Sequence, residues 1–178
     1  KIVSLLTLMN QEDSKEIKAL LHYEEDTAGG IMTTEYISLK STMPVREALL
    51  QVKEQAPDAE TIYMIYAIND DKQLVGVLSL RDLITAENDA YIEDVMQERV
   101  ISVNVADDQE DVAQKMRDYD FIAIPVLDYQ DHLLGIITID DILDVMDEEA
   151  SEDYSRLAGV SDVDATNTSI VKTSAQRL

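Results

Sequence analysis

An internal duplication constrains this chain more than any other feature. The segment IMTTEYISLKSTMPVREALLQV, followed by MIYAINDDKQLVGVLSLRDLI, is echoed by VMQERVISVNVADDQEDVAQKM, followed by IAIPVLDYQDHLLGIITIDDIL. Met32 matches Met96, Ile37 matches Ile101, Ala48 matches Val112, Asp70 matches Asp128 and Gly76 matches Gly135. Ser79-Leu80-Arg81-Asp82 matches Thr138-Ile139-Asp140-Asp141, and the first copy carries extra residues around Pro57-Asp58-Ala59-Glu60. A repeated unit of this size must fold twice to the same pattern, and each copy needs the other to cover its apolar face.

Each copy reads as β-α-β-β-α, which predicts a mixed α/β (α+β) fold. A short strand (Ile37-Ser38-Leu39; Ile101-Ser102-Val103) precedes a helix starting near Val45 or Glu110. Two apolar strands follow, over 63–68 with 74–79 and over 122–127 with 133–138, joined by turn-forming residues at 69–72 and 128–131. Gly76 and Gly135 inside strand patterns predict a close backbone approach. A Ser or Thr three residues before an Asp then opens the last helix of each copy, as capping chemistry requires.

From Asp140 to Asp153 the chain places eight carboxylates in fourteen residues of helical pattern. Asp141, Asp144, Glu148 and Glu152 share one stripe, while Ile142, Leu143, Met146, Ala150, Tyr154 and Leu157 share another. Like charges at this spacing repel, and no Lys or Arg interrupts the run. A multivalent cation would relieve the repulsion. The net charge of -23 excludes partners that need basic side chains, nucleic acid and anionic lipid among them. The charge gathers at 107–111 and 140–153 instead of spreading evenly, which sets it apart from a halophilic surface.

Cysteine is absent, so neither a disulfide framework nor a thiolate metal site is available. No run reaches the roughly 18 apolar residues of a membrane span. The two histidines, His22 and His132, are far apart, with His132 expected on the surface of a turn; no nucleophile–base pair points to an enzyme. Before about Tyr23 the chain shows helical spacing too short for a domain. Together with the non-Met start and the ending at Arg177-Leu178, it suggests a piece of a longer protein. The apolar positions Leu83, Ile84, Ile142, Leu143 and Met146 on the terminal helices of the repeats suggest a homodimer.

The endings GVLSLRD and GIITIDD resemble tandem CBS domains, named for cystathionine β-synthase, whose paired repeats pack through their sheets. The stretches TAGGIMTTEYISL, DDQEDVAQKMRDYDFIAIPVLD and GIITIDDILDVMDEEASEDYSRLAGV resemble the cytosolic region of MgtE-type magnesium transporters. That resemblance implies a remnant of a helical N-domain at 1–28, a first CBS domain at 29–92, and a second with the acidic helix at 93–158. A linker and the start of a plug helix would occupy 159–178. It implies a Mg²⁺ sensor on the cytoplasmic face of the membrane, attached to its own transmembrane domain, in which the ion bridges acidic groups and favours a closed channel.

Carried over residue by residue, the metal positions fall on Gly30 (by its carbonyl), Asp108, Glu110, Asp120, Asp141, Asp144, Glu149, Glu152 and Asp153. Mg²⁺ prefers such carboxylate oxygens and keeps several waters. Some CBS pairs also bind adenine nucleotides. ATP or another adenine nucleotide is therefore the second ligand implied, with Arg81 and Asp82 near phosphates and ribose and Phe121, the sole Phe, stacking on adenine.

Overall fold

The computed structural model describes residues 23–147. The helical lead-in expected before Tyr23 lies outside them, as do Glu149, Glu152, Asp153 and the expected linker. Each repeat forms one three-stranded sheet. In the first, β1 (Ile37–Lys40) runs parallel to β2 (Met64–Ile68), which runs antiparallel to β3 (Leu74–Ser79). In the second, β4 (Val103–Asn104), β5 (Ala123–Leu127) and β6 (Leu133–Thr138) repeat that order. Even the register irregularity recurs, at Ala67/Ile68 and at Val126/Leu127.

Apolar spacing builds the covering helices. Between β1 and β2, α2 (Val45–Gln55) buries Val45, Ala48 and Val52, three positions on one face. Its counterpart α5 (Gln109–Asp118) buries Val112, Ala113 and Met116. With α3 (Leu80–Thr85) following β3, the buried α2 residues Val45, Ala48 and Val52 join a first-repeat core of Ile37, Leu39, Ile65, Ala67, Leu78 and Leu83. The two sheets meet through a second cluster, Tyr66, Leu127, Leu133 and Ile136, flanked by Tyr36, Met64, Ile68, Leu74 and Val77.

The opening strand of the second repeat is shorter than expected, beginning at Val103 instead of Ile101. Proline explains the loss. Ile136 exchanges both backbone bonds with Thr33, so the residue paired with it, Pro125, faces β4. Pro125 has no N–H to donate there, whereas the equivalent Tyr66 pairs with Ser38 on β1. The turns also correct one repeat match: Asn69, not Asp70, is the structural equivalent of Asp128. Asn69 Oδ1 accepts from the N–H of Asp71 (3.0 Å) and Gln73 (2.9 Å). Asp128 Oδ1 accepts from Gln130 (2.8 Å) and His132 (2.9 Å). Lys72 and Asp131 take matching left-handed conformations, φ 64° and 63°.

His132 is half-buried instead of lying on the surface, because its Nδ1 sits 2.8 Å from Asp128 Oδ2. Partial burial pushes the Asp128 carboxyl up, but hydrogen bonds from the His132 ring and from the His132 and Gln130 backbone outweigh it and hold it below the usual range. The two turns clasp each other: Leu74 N–H donates to Asp131 O and Leu133 N–H to Lys72 O.

Each repeat's lead-in crosses to the other repeat. The one-turn helix α1 (Ala28–Ile31) precedes Thr33, which pairs with Ile136 of the second sheet. The one-turn helix α4 (Ile92–Val95) precedes Gln97, which pairs with Val77 of the first. Gly135 and Gly76 leave the room this exchange requires, since a Cβ on either would collide with Met32 or Met96 respectively. The helix that follows β6 occupies 139–147 of the described chain. Of the apolar positions expected on an outer face, Leu83 and Ile142 instead turn into the core, while Ile84 and Leu143 are exposed. Leu83 and Ile142 close the interior of their own repeats, so only alternate members of each set are left outside.

Tyr66 carries a local conflict. Its ring is fully buried, edge-on to Tyr36 at 6.1 Å, yet its hydroxyl has no hydrogen-bond partner among the described residues. An unmet buried hydroxyl costs about 1–3 kcal/mol. Tyr66→Phe is therefore expected to stabilise the protein by about 1 kcal/mol in urea unfolding at pH 8. Burial also pushes the Tyr66 phenol above its ordinary pKa. The unfolded chain releases this proton above about pH 10 while the folded protein keeps it, so this contribution is complete below that pH and lost above it. The advantage of Tyr66→Phe should widen at pH 10.5; an advantage that is absent at pH 8 and constant with pH would contradict the burial account.

Candidate functional site

The acidic positions fall into separate groups. Asp108 caps the N-terminus of α5, its Oδ1 accepting from Glu110 N–H at 2.8 Å, and both side chains are exposed. The strap Asp26–Gly30 lies against this end: Gln109 N–H donates to Asp26 O (3.0 Å), Ala28 N–H to Asp107 O (2.8 Å) and Gly29 N–H to Val105 O (2.9 Å). Gly30 is needed there because a Cβ would sit 2.6 Å from the Glu25 carbonyl oxygen. The structure thus brings Gly30, Asp108 and Glu110 into one neighbourhood. The Gly29-Gly30 doublet is the one local feature of the sequence that could have marked this strap, although its docking on the second repeat is not readable from it.

Asp120 lies at the opposite end of α5, roughly 15 Å away along the axis of a ten-residue helix. It adopts φ 54°, and the two following bonds, Asp120 N–H to Arg117 O and Phe121 N–H to Met116 O, close the helix as a left-handed C-terminal cap. Its carboxylate is exposed. Asp141 opens the helix at 139–147, where its Oδ2 accepts from Thr138 N–H (3.1 Å) and Thr138 Oγ1 (2.7 Å). The other carboxylate oxygen takes no hydrogen bond from any described residue. Asp144 is exposed, and Glu149, Glu152 and Asp153 lie outside the described residues.

Among the described residues no three His, Asp or Glu side chains converge on a common metal position. What they offer is pairs and single oxygens, all hard donors with free lone pairs. Such half-sites fit Mg²⁺, which takes one or two carboxylates and fills the remaining positions with water.

Arg81 and Asp82 stand in the first turn of α3, with Arg81 exposed. Asp82 Oδ2 accepts from Ser79 N–H (3.0 Å) and Ser79 Oγ (2.6 Å), and Ser79 Oγ accepts from Asp82 N–H (3.1 Å). The bonds from the Ser79 hydroxyl and N–H hold the Asp82 carboxyl below the usual range. A hollow of about 330 Å³ beside it is bordered by Asp82, Thr85, Glu87 and Asp94. That acidic wall suits hydroxyl donors or a cation and repels phosphate, and Arg81 is not part of it. Phe121 does not join these two in the described contacts. It stacks on Tyr119 instead, ring centroids 5.5 Å apart and planes 12° from parallel.

Comparison with known proteins matches the CBS domain family over residues 28–89 and 92–148. The chain is 57% identical over 167 residues to the magnesium transporter MgtE of Enterococcus faecalis, covering 94% of this chain and 37% of that protein. The chain therefore spans little more than a third of that relative's length. It is similar to the soluble part of a magnesium transporter solved by crystallography, with 59% identity and a TM-score of 0.78 over 82% of this chain and 57% of that one. It is similar also to the cytosolic domain of the Mg²⁺ channel MgtE in complex with ATP, with 46% identity and a TM-score of 0.76 over 80% and 57%. Among the described residues no helix is long and apolar enough to cross a membrane.

Proposed function

This chain belongs to the CBS-domain family, and from that premise we propose that it is the Mg²⁺-sensing regulatory part of a magnesium transporter. The observation carrying this reading is the 59% identity to a transporter's soluble part, held across a region whose carboxylates outnumber its cations. Mg²⁺ bridges oxygen donors on different elements: Gly30 with Asp108 and Glu110 at the strap, Asp120 beyond α5, and Asp141, Asp144, Glu149, Glu152 and Asp153 along the acidic helix. Bridging favours the compact, closed arrangement. Removing the ion leaves like charges facing each other, at about 4 kcal/mol for two carboxylates 4 Å apart at an effective dielectric near 20. In a longer chain that repulsion would act on a transmembrane domain at the cytoplasmic face, and the protein would work as a homodimer.

The test is thermal unfolding with millimolar Mg²⁺ against NaCl of equal ionic strength. Mg²⁺ should raise the midpoint well beyond NaCl, because a ligand of the folded state contributes roughly 2.7 kcal/mol at a hundredfold excess over its Kd. Equal shifts would leave only screening and remove the sensor reading.

An adenine nucleotide is the second reading, supported by the ATP complex of the similar cytosolic domain and by the exposed Arg81 beside Asp82. Asp82 would take ribose hydroxyls on its uncommitted oxygen and Arg81 the phosphates, with Phe121 turning from Tyr119 to adenine. ATP should then quench or shift the tyrosine emission in the unmodified protein but not in Arg81→Ala.

A further inference from the structure

The second repeat carries an aromatic pair that its twin does without. Tyr119, the C-terminal cap of α5, and Phe121 stack face to face, ring centroids 5.5 Å apart and planes 12° from parallel. Ile139 N–H donates to Ile122 O (3.0 Å) as Leu80 N–H does to Tyr63 O (3.2 Å), which fixes the equivalence of the two segments. On that register Glu60 stands in the place of Tyr119 and Ile62 in the place of Phe121, so the repeat closes without either ring. The pair is not core packing either: Tyr119 is 55% exposed and the adjoining Ile122 50%. Its backbone is held on both sides, Tyr119 N–H bonding to Lys115 O (3.3 Å) and Phe121 N–H to Met116 O (3.0 Å), with Asp120 between them at φ 54°. The rings therefore part by rotation of a side chain between its staggered positions, with no movement of the chain.

We propose that Tyr119 is the gate of the nucleotide site, its ring covering the face of Phe121 on which adenine stacks. This rests on the nucleotide reading above and adds to it a resting state in which the protein's own ring holds the place of the base. Stacked aromatic pairs attract one another beyond their buried area, so the closed pair is the favoured state. Only the fraction of molecules with Phe121 free takes the base, and the apparent affinity falls short of the intrinsic one by that fraction. ATP overcomes the gate because its phosphates, held by Arg81, keep the base at high effective concentration beside the ring. Tyr119 is thus a positioning residue: it touches neither phosphate nor ribose, and it acts through Phe121 alone.

The probe is ATP, titrated calorimetrically with free Mg²⁺ held constant into the unmodified protein and its variants. Tyr119→Ala should bind ATP about two- to tenfold more tightly, the range that one aromatic pair spans. Tyr119→Phe restores the stack and should return the affinity to that of the unmodified protein. Adding Phe121→Ala to Tyr119→Ala should remove the gain. Inorganic tripolyphosphate has no ring to stack and should bind the unmodified protein and Tyr119→Ala equally, whereas a general structural effect would shift both ligands. Tyr119 is exposed, and unaltered melting midpoints would verify folding. An ATP affinity that Tyr119→Ala leaves unchanged or weakens would overturn the gate, as would a gain that survives the loss of Phe121; in either case binding that still depends on Arg81 keeps the nucleotide reading. ATP binding to none of these proteins would remove the reading and the gate together.

Discussion

Replacing Gly135 by alanine is expected to cost about 2–3 kcal/mol, near the upper end for inserting a methyl group into a filled interior. An added Cβ there would lie 2.7 Å from the Thr33 carbonyl oxygen and 2.8 Å from Met32 Sδ. The methionine could move, but the carbonyl could not, because Thr33 is held by both backbone bonds to Ile136. Gly76→Ala offers the matched comparison, since the three atoms nearest its added Cβ all belong to the side chain of Met96. A flexible thioether can swing aside at little cost, so Gly76→Ala should cost under half as much. Urea unfolding of the two variants measures the difference. Equal losses would mean that the lead-ins are not seated as firmly as their bonds imply.

That comparison rests on an exchange of lead-ins that only partly showed in the sequence. The duplication, the β-α-β-β-α order and the capping residues were legible because each depends on local spacing. Glycines at matching strand positions signalled that something approaches closely. What approaches could not be read, because Met32 and Met96 reach the opposite repeat and nothing in a linear pattern encodes that crossing. Pro125 was visible, but its effect on β4 depends on which way its missing N–H faces, and that is set by Thr33 on the far edge of β6. The Asn69–Asp128 equivalence was hidden by Asp70, which offers the same residue type one position away while pairing outward with Lys40 at 2.8 Å.

The candidate site was legible to a different depth. Carboxylate clustering pointed to a cation, and the docking of the strap on the N-terminal end of α5 places Gly30 near Asp108 and Glu110. The spacing of Ser79 with Asp82 and of Thr138 with Asp141 showed the caps, but not whether either carboxylate also serves a ligand, since a carboxylate near a helix start can do both. Phe121 shows the opposite limit: its chemistry suggested adenine, while local geometry gives it a tyrosine neighbour two residues away.

The double role of Asp82 and Asp141 supplies the sharpest test of the sensor. Each caps its helix through the same oxygen, Asp82 with Ser79 and Asp141 with Thr138. Asp82→Asn and Asp141→Asn should therefore each lose about 1 kcal/mol of stability in EDTA, the usual scale for a weakened cap. Their responses to Mg²⁺ should separate. If Asp141 contributes its second oxygen to a bound ion, Asp141→Asn removes a charged ligand, and the Mg²⁺ stabilisation of roughly 2.7 kcal/mol at a hundredfold excess falls by more than half. Asp82→Asn should retain that gain in full. The same pair separates the nucleotide reading, because ATP should lose its effect on Asp82→Asn and keep it on Asp141→Asn. Melting midpoints in EDTA, in Mg²⁺ and in ATP give all of these values. If Mg²⁺ raises the midpoints of both variants by the same amount, Asp141 is a cap and nothing more, and the ion's ligands lie elsewhere on the acidic surface.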